Sequence, residues 1–353
     1  MRILVAPDKF KDSLGASEVA QNIAAGLREV LGDALIDRLP IADGGEGTAE
    51  VICAAAAGQW HSCEVHDPLG RIVTAHYCTI DDGAIAVMEM SEAAGLWRVA
   101  PNERDPMRAT TFGVGEMLLD AARRGVREII IGLGGSATND GGFGMARALG
   151  FRFFDASGTE TSNFLEAARF VAPNELSLPS IIAAVDVQNP LLGENGATRV
   201  FAPQKGASRE QLELLEAALA RFADMVGRDA ANEAGAGAAG GLGFGLTSLC
   251  AAQFRSGFEV VAERIGLAEA VRDADVIITG EGRLDAQTLA GKAPAGVARL
   301  ARAAGKRVFA IVGASSGDGE AEALFERVLV IGDIDKTAPR LRECARDLAQ
   351  LFR

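Results

Sequence analysis

The chain has 353 residues, with 48% hydrophobic residues, 42 glycines and 5% aromatics, which fits one large or two medium α/β domains with a substantial core. A formal charge of −13 argues against nucleic acid or an anionic membrane surface as partner, though not against a small anion held by local N–H groups, a few cations and a metal. No stretch approaches the ~20 apolar residues of a membrane span. The start turns polar at Asp8, Lys9, Lys11 and Asp12, so no signal peptide is expected, and five scattered cysteines suit a reducing cytoplasm.

In chain order, RILVAP (2–7) is a short buried strand, and 17–30 has helical spacing. ALIDRLPIA gives a second strand, followed by DGGEG and an Ala-rich helix over 47–57. From Trp60 to Met90 the period changes to 2, with turns at Asp67–Gly70 and Asp81–Gly83, which predicts an antiparallel meander. Cys63 and the histidines His61, His66 and His76 fall in this stretch. Without CxxC or HExxH spacing, strand faces that carry these residues outweigh a zinc site.

Beyond Arg108 helices and strands alternate: TTFGVGEMLLDAARRG, then the apolar run at 129–131 with a glycine loop and a helix from about Gly142. SIIAAVDV follows, then a long helix over 208–226 and GAGAAGGLGFG. The end of the chain, from ADVIITGEGRLD through KRVFAIVGASSG to RVLVIGD, is strand–helix–strand again. Continuous apolar strands belong in parallel sheets covered by helices. The expected architecture is therefore two α/β domains. One is a discontinuous Rossmann-like domain, 1–65 plus 273–353. The other, 66–272, is inserted and carries the antiparallel meander, with the active site expected in the cleft between the two.

Ligands of parallel α/β sheets bind beyond the carboxyl ends of strands. Six such ends carry glycine beside carboxylate, amide or cation: APDKFKDS, ADGGEGT, GLGGSATNDGG, DVQNPL, APQKGA and TGEGRLD. Together with Asp43, Glu46, Asp140, Asp186, Glu281 and Asp285 they suit phosphoryl transfer. Glycine N–H groups hold the nucleotide, carboxylates hold Mg²⁺, cations neutralise developing charge and one carboxylate orients the hydroxyl. GLGGSATNDGG is not a Walker A, since no Lys follows, and Ala137 spoils a dinucleotide fingerprint. An anion seat is expected over Gly134, Gly135, Ser136, Thr138, Asn139 and Asp140. Lys9, Lys11 and Lys205 fit ligand contacts or structural roles equally. Arg283, between Glu281 and Asp285, could serve an ion-pair network. GAGAAGGLGFG either admits a nucleotide or lets a helix pack closely.

Assembled, these motifs resemble the bacterial glycerate kinases of the type-1 family nearly end to end, from APDKFKDSL through ADGGEGTAE, GLGGSATNDGG, DVQNPLLG, PQKGA and GAGAAGGLG to TGEGRLDAQTLAGKAPAGVA. The resemblance implies phosphorylation of D-glycerate, at the 2-hydroxyl, with ATP and Mg²⁺. On it, ATP phosphates lie against Gly134, Gly135, Ser136, Thr138 and Asn139 with Lys205 nearby, and Mg²⁺ near Asp43, Glu46 or Glu281. Asp186 takes the hydroxyl proton, and Lys11, Arg283 and Asp8 complete the catalytic set. The chain departs from the pattern at Lys9, at Ala202 in place of Gly, at Val185 in place of Cys, and in a short 155–179 region. Rival expectations are a kinase for another hydroxy acid or sugar acid, 3-phosphorylation of glycerate, and a non-catalytic sugar-acid or nucleotide sensor.

Overall fold

The computed structural model describes residues 1–11, 13–289, 292–317, 319–332 and 337–353. Asp12, Ala290, Gly291 and Asp333, which the motifs above include, lie outside them. The chain forms two compact units, Met1–Ala56 with Ser256–Arg353, and Ala57–Arg255. Both are α/β.

The first unit is built on a parallel sheet. Among the described residues its strand order is Arg327–Val330, Arg307–Val312, Val276–Thr279, Arg2–Val5, Leu35–Arg38. The inner strands are continuous apolar runs because helices cover both faces. Helix Ala16–Val30 buries Val19, Ala20, Ile23, Ala24 and Leu27, an i, i+3, i+4 stripe, against this sheet and against helix Thr337–Ala349. Glu18 accepts a hydrogen bond from the Gly15 N–H at 3.1 Å, which closes the open end of the first turn.

The second unit has a mixed sheet ordered Gln253–Arg255, Ser180–Ala184, Glu128–Gly132, Ile85–Glu89, Ile72–Ile80, Gln59–His66. The first four are parallel neighbours; the last two run antiparallel. The meander is thus the edge of the same sheet, and Ile85–Glu89 serves both kinds of ladder. Its core includes a cluster of Phe143, Phe153, Phe164, Phe222 and Phe244, with ring centroids 4.4 Å apart at the tightest pair, Phe143–Phe153.

The unit limits differ from the expected boundaries near 65 and 272. Gln59–His66 forms a full antiparallel ladder with Ile72–Ile80, so its backbone bonds tie it to the second unit. Helices Gly257–Arg264 and Leu267–Asp273, expected in the inserted domain, pack instead on Thr48–Ala55 and on Arg2–Val5 of the first unit. Amphipathic helices look alike whichever sheet they cover, so composition could not place them. Among the described residues no three His, Cys, Asp or Glu side chains are grouped to hold a metal.

Gly26 lies inside the helix Ala16–Val30, where alanine would ordinarily stabilise by about 1 kcal/mol. Here a Cβ would overlap the Arg342 carbonyl oxygen and lie 2.9 Å from the Ala345 Cβ of the neighbouring helix. Packing reverses the sign, so Gly26→Ala is expected to destabilise by roughly 1–3 kcal/mol. Urea unfolding measures it, and a variant more stable than the parent would disprove this helix contact.

Candidate functional site

In the second unit the strand Glu128–Gly132 runs into the loop 133–142, and the helix Phe143–Ala148 follows. Asp140 fixes the loop. Its carboxylate is 3% exposed and accepts from the N–H groups of Thr111 (2.9 Å), Gly142 (3.2 Å) and Gly144 (3.0 Å), and from the Thr111 hydroxyl (2.9 Å). Burial raises its pKa, while these donors hold it down. The Thr111 hydroxyl in turn accepts the Met145 N–H at 2.9 Å, and the Asp140 carbonyl accepts the Phe143 N–H. The open N–H groups of the short helix are therefore consumed inside the protein.

Lys205 holds the other side of the loop. It follows the helix Ala197–Phe201 in the short turn Pro203–Lys205, is 1% exposed, and donates to the Ser136 hydroxyl at 2.7 Å and the Thr138 carbonyl at 2.6 Å. Burial lowers its pKa to about 7, against an opposing pull from the Asp140 charge. Ser136, Thr138 and Asn139 are likewise buried, and Asn139 donates to Thr198 at 3.0 Å. The Thr138 hydroxyl and the Asn139 side-chain carbonyl have no partner among the described residues.

The glycine-rich stretch 235–245 settles its own alternatives. Ala239, Gly240 and Gly241 all have left-handed backbone, and a Cβ on Gly240 would overlap the Thr138 carbonyl oxygen. Gly240 also accepts the Gly141 N–H at 3.0 Å. These glycines let one backbone lie against the other.

What remains accessible on the loop is Gly134 and Gly135, with Gly135 left-handed at φ +71°. Their N–H groups make no hydrogen bond among the described residues. Consecutive free N–H groups at such a bend form an anion-binding concavity. The adjacent parallel strand, Ser180–Ala184, pairs Gly132 with Ala184. Gly134 and half-buried Asp186 are thus each two residues past neighbouring strand ends.

The first unit gathers carboxylates at the ends of three adjacent strands. Asp8 follows Arg2–Val5, Asp43 follows Leu35–Arg38, and Glu281 follows Val276–Thr279. The Asp8 pKa is raised well above the usual range, first by burial and then by the Asp43 and Glu281 charges, against the Lys9 N–H bonded to its carboxylate at 2.7 Å. Burial likewise raises Glu281 to about 7, opposed by the Thr288 hydroxyl that donates to it at 2.7 Å and by Lys292. Glu46 does not join this cluster: it is exposed and pairs with Lys9 at 3.6 Å. Exposed Arg283 pairs with Asp285 at 3.6 Å rather than with Glu281, and Lys292 stands 3.8 Å from both Glu281 and Asp285. Exposed Lys11 lies where its backbone N–H would meet a Cβ on Gly282 at 3.2 Å, so its turn abuts the Arg283 loop.

Thr111, Thr198, Thr288 and Lys292 were missed from the sequence. Only Lys292 carried a signal: a lysine at the start of the helix Ala293–Ala303 opposes the helix dipole and so needs acidic neighbours.

Residues 3–353 match the model of the glycerate kinase family. The chain belongs to the glycerate kinase family. It is 43% identical to a glycerate kinase of Haemophilus influenzae, with 95% of this chain and 93% of that one covered. It is 41% identical to the glycerate 2-kinase of Escherichia coli over the same shares. A crystal structure provisionally assigned as glycerate kinase 2 from Salmonella typhimurium LT2 superposes with a TM-score of 0.86 at 42% identity, covering 100% of this chain and 98% of that one. This family member is therefore a phosphotransferase enzyme. No helix among its described residues is long and apolar enough to cross a membrane.

The Lys205 ammonium provides a test in this enzyme. Between pH 7 and 10.5 the unfolded chain holds a proton that folded Lys205 has released, so its contribution makes stability rise with pH, by up to about 1.4 kcal/mol per pH unit. Comparing wild type with Lys205→Met by urea unfolding isolates this term. The difference is expected to move in favour of wild type from pH 7 to 9.5, and a difference flat across that window would reject a desolvated Lys205.

Proposed function

We propose that the enzyme transfers the terminal phosphoryl group of ATP to the 2-hydroxyl of D-glycerate. The observation that carries the nucleotide half is the pair of glycine N–H groups at Gly134 and Gly135, without a partner among the described residues, on a loop clamped by Asp140 and Lys205. Rigid donors of this kind seat phosphate oxygens without reorganising. Ser136, Thr138, Asn139 and Lys205 serve the same phosphates indirectly, by shaping that loop from below. The acceptor and its 2-position rest on the family and on the relative named glycerate 2-kinase.

In this mechanism Asp186 accepts the proton of the attacking hydroxyl, whose oxygen bonds to the terminal phosphorus as the bond to ADP breaks. Lys11 and Arg283, exposed cations on abutting loops, meet the substrate carboxylate and the charge on the phosphoryl group. Asp8 orients its own loop through the Lys9 N–H.

The residues also fit Mg²⁺ that arrives with the nucleotide. Asp8 feels the like charges of Asp43 and Glu281, a repulsion that a divalent cation would relieve; among the described residues no three carboxylates are grouped to hold a metal by themselves, but Mg²⁺ bound with phosphates needs only one or two. When bound, it neutralises charge on the phosphate oxygens. Asp43 and Glu281 are the ligands proposed, with Glu46 outside the cluster. The cytoplasm suits this chemistry and five free cysteines.

Asp186→Asn is expected to keep the thermal transition and lower turnover by roughly 10²–10⁴-fold. Phosphorus NMR with ATP, Mg²⁺ and D- or L-glycerate gives the product directly. A phosphomonoester doublet, from one carbon-bound proton, is expected with D-glycerate. A triplet would mean 3-phosphorylation, and wild-type turnover in the variant would remove Asp186 from the mechanism.

A further inference from the structure

A cleft of about 620 Å³ in the second unit has three arginines in its lining, and the phosphate loop contributes none of it. Its size is that of a small-metabolite site. The three arginines differ in their commitments. Arg71 is already balanced: its Nε donates to buried Asp67 at 2.6 Å, another nitrogen reaches the Arg98 carbonyl at 3.1 Å, and Glu103 lies 3.4 Å away. Arg104 and Arg108 form no ion pair among the described residues. The Arg104 Nε is buried without an acceptor, and Arg108 is exposed. Of the two acids in the lining, Glu103 faces Arg71, and Asp105 accepts the Met107 N–H at 3.0 Å within its own turn.

Two unpaired guanidinium groups in one concave site are unusual on a chain of net charge −13. Solvation alone does not account for them, because one donor is cut off from water and still lacks an acceptor. Planar guanidinium forks match oxygens borne in pairs, as on phosphate or carboxylate. We propose that this cleft binds a small polyanion with at least two adjacent anionic groups, held by Arg104 and Arg108. Arg104 also forms a wall against the loop clamp. A Cβ on Gly206 would lie 2.7 Å from the Arg104 carbonyl, and Gly206 directly follows Lys205.

Titration calorimetry of the full chain with pyrophosphate, without Mg²⁺, tests the site, with citrate as the polycarboxylate arm. Saturable single-site binding is expected. Arg108→Gln alters only an exposed side chain, so its fold should persist, and it should weaken binding roughly tenfold or more, the worth of a charge-assisted hydrogen bond. The probe that binds more tightly under Arg108 control identifies the phosphorylated or the carboxylate source. Binding equal in wild type and variant would overturn the proposal by assigning the anion to the Gly134–Gly135 rim, and so would absence of saturation. Loss of kinase turnover together with pyrophosphate binding in Arg108→Gln would also overturn it, because the arginines would then belong to the donor or acceptor site.

Discussion

The second unit depends on keeping one carboxylate dry. Asp140 is withdrawn from water, a cost of several kcal/mol for an isolated charge, and three N–H groups and a hydroxyl offset it. Those donors come from Thr111, at the entry to the helix Phe112–Arg123, and from the loop that leads into the next helix. Meeting the needs of one side chain therefore joins two helices to a loop at fixed distance. Lys205 repeats the device from the opposite side, with its ammonium shared between Ser136 and Thr138. Both groups are costly to leave unpaired, so the loop has few alternative conformations. Its exposed glycines inherit that stiffness, which is what a phosphate seat requires.

The first unit handles polar groups in the opposite way. Its strand-end carboxylates are not each surrounded by donors; burial raises the pKa of both Asp8 and Glu281, the Asp43 charge raises both further, and Glu281 adds to the shift of Asp8. Such an arrangement stores electrostatic strain until a cation or proton enters. The loop 133–142 is thus held in place because the buried charges on either side of it are satisfied. The acidic strand ends are receptive because theirs repel.

Much of this was legible in the sequence. The apolar run at 129–131 and the period-2 stretch from Trp60 identify their strands, since burial on both faces and burial on one face leave different patterns. The motif glycines mark real left-handed positions at Gly135, Gly141, Gly142, Gly240 and Gly241. What a sequence does not encode is which polar group faces which. Ser136 and Asn139 look like ligand contacts on a loop, yet they are buried and bond to Lys205 and Thr198, and Thr138 meets Lys205 through its backbone carbonyl. Thr111 and Thr288 are ordinary residues until the fold brings Asp140 and Glu281 to them. The unit limits escaped for a related reason: strand pairing decided the side to which Gln59–His66 belongs, and pairing is a long-range fact.

The division of the chain has a kinetic consequence during synthesis. The strand Arg2–Val5 is flanked by Leu35–Arg38 on one side and Val276–Thr279 on the other, and the Thr279 hydroxyl bonds to the Ala6 carbonyl across 273 residues. At ribosomal speeds of roughly 5–20 residues per second, the opening strand emerges on the order of ten seconds to a minute before its second neighbour. The helix Ala16–Val30 waits longer still for Thr337–Ala349 to cover its apolar stripe. The contiguous unit Ala57–Arg255 has no such delay and can complete its ladders as it emerges. The nascent chain thus carries a finished middle and an unfinished beginning, and that unpaired edge is the segment in most need of chaperone protection.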